Sequence, residues 1–92
     1  MIRSFRDKDA ESLFGGTVPG RFRSFARPAL RKLLQLHAAR ALGDLAVFPG
    51  NRLEALKGKR RGQHSIRIND QFRICFIWRD GDAERVEIVD YH

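Results

Sequence analysis

The stretch HSIRINDQFRICFIWRDGDAERVEIVD, residues 64–90, decides the fold. Three of its segments predict β-strands: residues 64–69, 72–78 and 84–90. The turn before the last segment is expected at Asp80-Gly81-Asp82. The middle segment, FRICFIW, is apolar on both faces, so we expect a central strand with helices covering one side. The stretch therefore predicts a strand–turn–strand–turn–strand sheet.

Upstream of these strands, the sequence predicts a short strand and a short helix. The strand is expected at residues 2–5. Asp7 predicts the N-cap of the helix, since a carboxylate can accept hydrogen bonds from the first backbone amides. The helix carries the apolar residues Ala10, Leu13 and Phe14, and we expect Gly15-Gly16 to end it.

A second, longer helix follows. It is expected to begin between Ser24 and Pro28, because proline fits the first turn of a helix but not its interior. Five residues at helical spacing predict its apolar face: Leu30, Leu33, Leu34, His37 and Ala41. His37 is interpreted as a packing or surface histidine. Gly43 is expected to end the helix, and residues 44–52 to form a loop.

The composition is that of one domain, residues 1–92, with a modest hydrophobic core. Hydrophobic residues make up 42% of the chain, which excludes a disordered protein. No apolar run approaches transmembrane length and residues 1–5 lack a signal-peptide core, so we expect a cytoplasmic protein with no membrane partner. Cys75 is the only cysteine, which excludes an internal disulfide, and its apolar neighbours Ile74 and Phe76 predict a buried thiol.

Positive charge is concentrated in two segments of the chain. The net charge is +7, and arginine and lysine fill residues 20–40 and residues 57–73, with Asp70 as the only acid in either segment. We call these segments the first and second basic blocks. Residues 74–92 reverse the balance, with five acids against two arginines. This distribution favours a surface that binds a polyanion such as RNA.

Strand parity relates two arginines of the second basic block. Side chains on one face of a sheet share index parity, so an odd-numbered loop around Asp70 would place Arg67 and Arg73 on the same face. Two guanidinium groups there would repel each other unless an anion lay between them. The alternative is that each points to solvent or pairs with Glu87 across the strands.

The chain ends on Asp90-Tyr91-His92, which places a carboxylate, a phenol and an imidazole directly after the last predicted strand. Histidine suits acid–base chemistry at neutral pH because its ordinary pKa lies close to it. The alternative is a polar tail that caps an edge strand.

Three motifs together resemble the HigB toxins of bacterial toxin–antitoxin systems, which belong to the RelE-like group. They are NRLEALKG at residues 51–58, GQHSIRINDQFRI at residues 62–74 and DYH at residues 90–92. The resemblance covers essentially the whole chain. It implies an α+β fold, with two N-terminal helices packed on a small, curved, mainly antiparallel sheet.

The resemblance also implies a function. Such toxins are ribosome-dependent endoribonucleases that cut mRNA and stop translation, by attack of a ribose 2′-hydroxyl on the adjacent phosphate, without a metal or cofactor. Residues implied in catalysis are Lys57, Arg73, Asp90, Tyr91 and His92. Residues expected to contact RNA are Glu54, Lys59, Arg60, Arg61, His64 and Arg67. The implied partners are the ribosome, mRNA and a helix-turn-helix, HigA-like antitoxin, with which the otherwise monomeric toxin would form a hetero-oligomer.

Departures from the family pattern leave alternatives open. Some HigB toxins have a histidine where this chain has Glu54, so Glu54 acts as a base itself or His92 takes over that task; alternatively, Glu54 only pairs with Lys57 or Arg52. His64 replaces an aromatic residue and either stacks on a base or fills a strand position. Lys59 stands where many members have an acid. A second functional class also fits: a non-catalytic RNA-, ribosome- or protein-binding module of the same fold.

Overall fold

Alternating apolar and polar residues build a four-stranded antiparallel sheet. In the computed structural model, which describes residues 1–91, the strands are β1 (Glu54–Ala55), β2 (His64–Arg67), β3 (Phe72–Arg79) and β4 (Asp82–Asp90). They lie in the order β1-β2-β3-β4, so β3 is central as predicted. The three longer strands fall close to the predicted ones.

Helices cover one face of this sheet. They are α1 (Lys8–Phe14), α2 (Ala26–Ala38) and α3 (Leu42–Ala46), and 3₁₀ turns lie at Gly20–Phe25, Pro49–Asn51 and Gly58–Arg60. The even-numbered residues Ile66, Ile74, Phe76, Val86 and Ile88 of the sheet are buried with residues of α1 and α2 in one hydrophobic core. The other face of the sheet is left for polar groups. No helix within residues 1–91 is long and apolar enough to cross a membrane.

The first helix agrees with the prediction. The Asp7 carboxylate accepts a hydrogen bond from the backbone N–H of Asp9 at 2.9 Å and caps α1, and Gly15 follows its last residue. Residues 2–5, in contrast, form no continuous strand. They make isolated parallel bridges from Ile2 to Ala83 and from Phe5 to Val86.

A bulge in β4 explains why residues 2–5 pair only in part. The register between β3 and β4 shifts between Cys75 and Ile77, and Arg85 takes a positive φ of 51°. The backbone N–H of Arg85 donates to the Ser4 hydroxyl at 2.9 Å instead of to a backbone carbonyl. The N-terminal segment therefore pairs with β4 on either side of the bulge.

The predictions for the end of α2 were wrong. The helix ends at Ala38, because Ala39 is extended and the Asp44 carboxylate accepts hydrogen bonds from the backbone N–H groups of Arg40 and Ala41. These bonds begin α3, so Gly43 lies within a helix, and residues 44–52 are not simply a loop.

The predicted apolar face of α2 is also only partly correct. Its buried residues are Ala29, Leu33 and Leu36, whereas Leu34 is 52% exposed. His37 is a packing residue, as expected. Its Nδ1 accepts a hydrogen bond from the backbone N–H of Ile2 at 3.1 Å, and its ring lies 5.2 Å from that of Phe14.

Candidate active site

The uncovered face of the sheet carries Arg67 and Arg73, as strand parity predicted. The two residues are directly opposite each other in the register of β2 and β3, and an odd number of residues, 68–72, separates them. They do not share an anion. Arg67 pairs with Asp70, while Arg73 binds a different set of groups. The alternative pairing with Glu87 does not occur either, since Glu87 pairs with Arg60 and, at 3.9 Å, with Arg6.

Backbone and hydroxyl oxygens hold the Arg73 guanidinium. Its Nε donates to the Ser65 hydroxyl at 2.8 Å, and its Nη2 donates to the Arg52 carbonyl at 2.7 Å and to the Ser65 carbonyl at 3.4 Å. The Arg73 side chain is only 12% exposed. Fixed neutral acceptors orient this cation without a short ion pair, which leaves it able to attract a further anion.

Two of the candidate residues lie around Arg73. The Glu54 carboxylate is 3.6 Å from Arg73 Nη2 and is half exposed, so Glu54 pairs with Arg73 and not with Lys57 or Arg52. The Tyr91 ring lies 5.9 Å from the Arg73 guanidinium carbon and is also partly exposed. A carboxylate, a guanidinium and a phenol from β1, β3 and the end of β4 thus meet at one place.

Beside this cluster lies an open cavity of about 450 Å³, lined by Arg60, Val89, Asp90 and Tyr91. Arg60 is held there by hydrogen bonds of 3.0 Å from its Nη1 to the Gln63 side-chain oxygen and to the Glu87 carboxylate. The bond to Glu87 raises the pKa of Arg60 above its ordinary value, so the guanidinium remains charged.

The C-terminal residues Asp90 and Tyr91 are attached to the loop before β3. The Gln71 side-chain amide donates to the Asp90 carboxylate at 3.0 Å, and the Tyr91 backbone N–H donates to the Gln71 carbonyl at 2.7 Å. These bonds fix the end of β4 next to the residue that precedes β3. The predicted role of His92 lies outside the described residues.

The remaining candidates lie in β2 and in the connection that precedes it. Lys57, Lys59 and Arg61 are exposed in the connection between β1 and β2. His64 pairs in register with Phe76 and stacks on its ring at 6.2 Å. By parity His64 lies on the core face of the sheet. This location agrees with the alternative that His64 fills a strand position.

Cys75 lies on the same face as Arg73, in register with Ser65 and Glu87. It is fully buried, as predicted, and burial raises the pKa of its thiol above the ordinary value despite the nearby Arg60. The thiol is therefore protonated at neutral pH and contributes to packing beneath the polar groups.

Two of the groups that bind Arg73 were not predicted from the sequence. Ser65 has the same odd parity as Arg67 and Arg73, so a small hydroxyl residue in that strand position was a usable signal. The Arg52 carbonyl gave no signal, because every residue has a carbonyl and only the local backbone conformation directs this one to Arg73.

The amino-acid sequence is similar to those of known proteins over most of its length. Residues 3–92 match the profile of the HigB-like family, described as RelE-like toxins of type II toxin–antitoxin systems. The chain is 41% identical over 85 residues to Toxin HigB-1 of Vibrio cholerae serotype O1, covering 90% of each chain. It is 32% identical over 95 aligned positions to Endoribonuclease HigB of Proteus vulgaris, covering all of both.

Solved structures agree on the fold. A YoeB–YefM toxin–antitoxin complex from Staphylococcus aureus contains a chain that matches with a TM-score of 0.58 at 18% identity, covering 100% of this chain and 98% of that one. A second YoeB–YefM structure from the same organism matches with a TM-score of 0.54. At this identity the likeness concerns the fold alone: helices packed on a four-stranded antiparallel sheet. The profile match over nearly the whole length shows that the chain belongs to the HigB-like family of RelE-like toxins of type II toxin–antitoxin systems.

Proposed function

We propose that this protein is a ribosome-dependent endoribonuclease that cuts mRNA and thereby stops translation. The observation that carries the proposal is Arg73, a little-exposed guanidinium held by neutral oxygens between Glu54 and Tyr91. Such a cation can stabilise charge on a phosphate, and a carboxylate and a phenol beside it can transfer protons. The relative from Proteus vulgaris, an endoribonuclease by name, supports the same activity.

In the proposed reaction, the ribose 2′-oxygen attacks the adjacent phosphorus and the bond to the 5′-oxygen of the next nucleotide breaks. A base takes the proton of the 2′-hydroxyl and an acid protonates the leaving 5′-oxygen. The products are a 2′,3′-cyclic phosphate and a free 5′-hydroxyl. Negative charge on the phosphate grows in the transition state, and Arg73 with Lys57 would stabilise it. The nucleophile belongs to the substrate, so the reaction needs no co-reactant.

Two groups compete for the role of base. Glu54 lies 3.6 Å from Arg73 Nη2, so a phosphate bound by Arg73 would have this carboxylate as a neighbour. His92 is the other candidate and would otherwise serve as the acid. Tyr91, next to the cavity that Arg60 and Asp90 also line, would position the nucleotide and assist proton transfer. Asp90 would support the two terminal side chains.

The distribution of charge supports RNA as the partner. The two basic blocks come near each other at Lys32, whose pKa is lowered by burial and also by repulsion from Arg31 in the first block and Arg67 in the second. Among residues 1–91, the structure gives no salt bridge to Arg23, Arg27, Arg31, Lys57, Lys59 or Arg61. These cations are free to contact phosphates of ribosomal RNA.

An antitoxin would silence the toxin between episodes of activity. The two YoeB–YefM structures are complexes of a toxin with its antitoxin, and this chain shares the toxin-like fold. We propose a helix-turn-helix, HigA-like antitoxin as the partner and a hetero-oligomer as the inactive form. A protein that acts on ribosomes is expected in the cytoplasm.

The test compares cleavage of one mRNA free in solution and on translating ribosomes. We expect efficient cleavage on ribosomes and little cleavage of free RNA, because a small domain with an open site depends on the ribosome to position its substrate. Cleavage products should carry a 2′,3′-cyclic phosphate. Equal rates with and without ribosomes would contradict ribosome dependence. Ribosome binding without any cleavage would favour a non-catalytic binding module.

A further inference from the structure

Asn51 is fully buried, although it is polar and lies in a surface connection. Both the amide nitrogen and the amide oxygen of its side chain have hydrogen-bond partners. The Asn51 amide nitrogen donates to the Gln35 side-chain oxygen and to the Leu45 carbonyl, both at 3.1 Å, and its amide oxygen accepts a hydrogen bond from Lys32. Asn51 therefore ties α2, α3 and the 3₁₀ turn Pro49–Asn51 together.

The stability of the fold does not by itself explain this arrangement. Burial lowers the pKa of Lys32, and so does repulsion from Arg31 and Arg67, which means that the charged form of Lys32 is disfavoured where it lies. Apolar side chains in place of a buried polar group and all of its partners often give equal stability, so a stable core does not require a polar network here. Asn51 lies one residue before Arg52, and the backbone conformation of Arg52 offers another explanation for the buried asparagine.

Arg52 adopts the left-handed backbone conformation, with φ of 44° and ψ of 55°. This conformation is unfavourable for a residue with a side chain and persists only where the surroundings enforce it. It directs the Arg52 carbonyl at Arg73, whose Nη2 donates to it at 2.7 Å. A left-handed residue at this point in the chain thus supplies one of the three acceptors that orient Arg73.

We propose that Asn51 and Arg52 are positioning residues for the phosphate-binding cation Arg73. Asn51 anchors the segment, the anchored segment holds Arg52 in the left-handed conformation, and the Arg52 carbonyl fixes one arm of the guanidinium. This inference rests on the proposed function only for its effect on rate. The geometry that it assigns to Arg73 is measurable without any RNA.

The sharpest test compares Arg52→Gly with Arg52→Val. Both variants remove the same exposed positive charge, but glycine adopts the left-handed conformation readily and a β-branched residue does not. We expect the kcat of Arg52→Val for ribosome-bound mRNA to fall at least roughly tenfold below that of Arg52→Gly, because small misplacements of a catalytic group are costly. The KM should stay similar, since the contact matters in the transition state. Equal kcat values in the two variants would overturn the proposal.

Asn51 is tested through Asn51→Leu and, because that change at a buried site endangers folding, through the milder Gln35→Leu. Gln35 is neutral, so its loss does not alter the attraction for RNA. We expect a lower kcat in each variant, but no further loss when either change is added to Arg73→Ala. Leu13→Ala, a large-to-small change in the core of α1, controls for a general loss of stability and should lower activity equally in both backgrounds. Full additivity of Gln35→Leu with Arg73→Ala would overturn the role of Asn51.

A readout without RNA separates this inference from the proposed function. The Arg73 Nε–H donates to the Ser65 hydroxyl, so its exchange with solvent, measured by NMR, reports how firmly the guanidinium is held. We expect faster exchange in Arg52→Val than in Arg52→Gly. If the wild type cuts no RNA but this difference appears, the positioning role stands and the endoribonuclease proposal fails. The same exchange rate in both variants refutes the positioning role whatever the activity.

Discussion

Arg73 illustrates why arginine suits this position better than lysine. The guanidinium reaches the Ser65 hydroxyl, the Ser65 carbonyl and the Arg52 carbonyl at once, with the Glu54 carboxylate near the same arm. A lysine ammonium is a compact point charge and lacks the planar fork that donates to several fixed acceptors at once. The planar fork is therefore oriented before any substrate binds, which lowers the cost of arranging it in a transition state.

Arg73→Ala should reduce cleavage of ribosome-bound mRNA by about a hundredfold or more, because it removes a well-placed contact to the transition-state charge. The matched control is Arg79→Ala on the same strand, whose arginine pairs with Glu84 at 3.4 Å.

A chain that ends at Tyr91 should be impaired as strongly as Arg73→Ala. The test compares the cleavage rates of the variants with that of the wild type, and circular dichroism checks that each variant is folded. Growth arrest by the shortened chain would show that His92 is a dispensable tail.

Part of this cluster could be predicted from the sequence. Alternation along β2 and β3 placed Arg67 and Arg73 on one face, and the same rule would have placed Ser65 with them. The partner of Glu54 could not be predicted, because β1 has only two residues and its pairing with β2 depends on the tertiary fold. The conformation of Arg52 gave no signal either, since arginine has no preference for it.

The turn between β3 and β4 requires glycine. Asp80 and Gly81 have positive φ angles of 53° and 82°, the pattern of a two-residue hairpin turn that matches the twist of the strands. A Cβ at Gly81 would lie 3.5 Å from the Arg40 carbonyl, an ordinary van der Waals contact, so the cost of a side chain there comes from the positive φ. We expect Gly81→Ala to lower the free energy of unfolding by about 1 kcal/mol or more, measured by urea denaturation.

Gly43 is the matched control for that experiment. It lies within α3 without a positive φ, and a Cβ there would meet nothing within 4 Å. Alanine favours a helix over glycine, so Gly43→Ala should raise the free energy of unfolding by ~0.5 kcal/mol. Equal effects of the two substitutions would show that backbone conformation does not distinguish these glycines.

The attachment of the N-terminal segment to β4 should depend on pH. The Asp82 carboxylate accepts hydrogen bonds of 2.9 Å from the Met1 amino group and from Arg3 Nε, and these bonds lower its pKa. A lowered pKa means that the stabilisation is present above the ordinary carboxyl pKa and is lost as pH falls through the lowered one. Asp82→Asn should therefore destabilise the protein at about pH 6, with a smaller difference at about pH 2.5.

Urea denaturation at the two pH values tests this expectation, with Arg3→Gln as a comparison that removes one of the two donors. Arg3→Gln should have a smaller effect than Asp82→Asn at neutral pH, because the Met1 amino group still donates to Asp82. A difference between wild type and Asp82→Asn that stays constant with pH would show that the carboxylate charge is not responsible.

At the level of elements, helices and strands could be predicted from the sequence where a local pattern determines them. The alternation in residues 64–90 predicted three strands and a central β3, and Asp7 predicted the start of α1. The predicted end of α2 was wrong, because Gly43 was expected to stop the helix. The actual stop depends on the Asp44 carboxylate, which accepts backbone hydrogen bonds from Arg40 and Ala41 and starts a new helix.

At the scale of the whole molecule, folding lowers the number of cations in the basic blocks that lack an acidic partner. Within the two basic blocks only Asp70 opposes twelve cations, but acids from elsewhere in the chain pair with some of them. Arg21 pairs with Asp7 and Asp9, which raises its pKa, and Arg60 pairs with Glu87. The surface that remains for a polyanion is therefore smaller than the sequence suggested, and it includes Arg27 and Arg31 on the exposed side of α2.

Binding to ribosomes should weaken steeply as salt concentration rises, because each contact between a cation and a phosphate releases counterions. Replacing both Arg27 and Arg31 by alanine should reduce the slope of log affinity against log salt by about 2, roughly one per lost contact. Arg79→Ala, outside both basic blocks, should leave the slope unchanged. Binding to the proposed helix-turn-helix antitoxin through a packed surface should respond less to salt, and a titration of both affinities measures the difference. If ribosome binding stays flat across ionic strength, the basic blocks are not the surface that contacts ribosomal RNA.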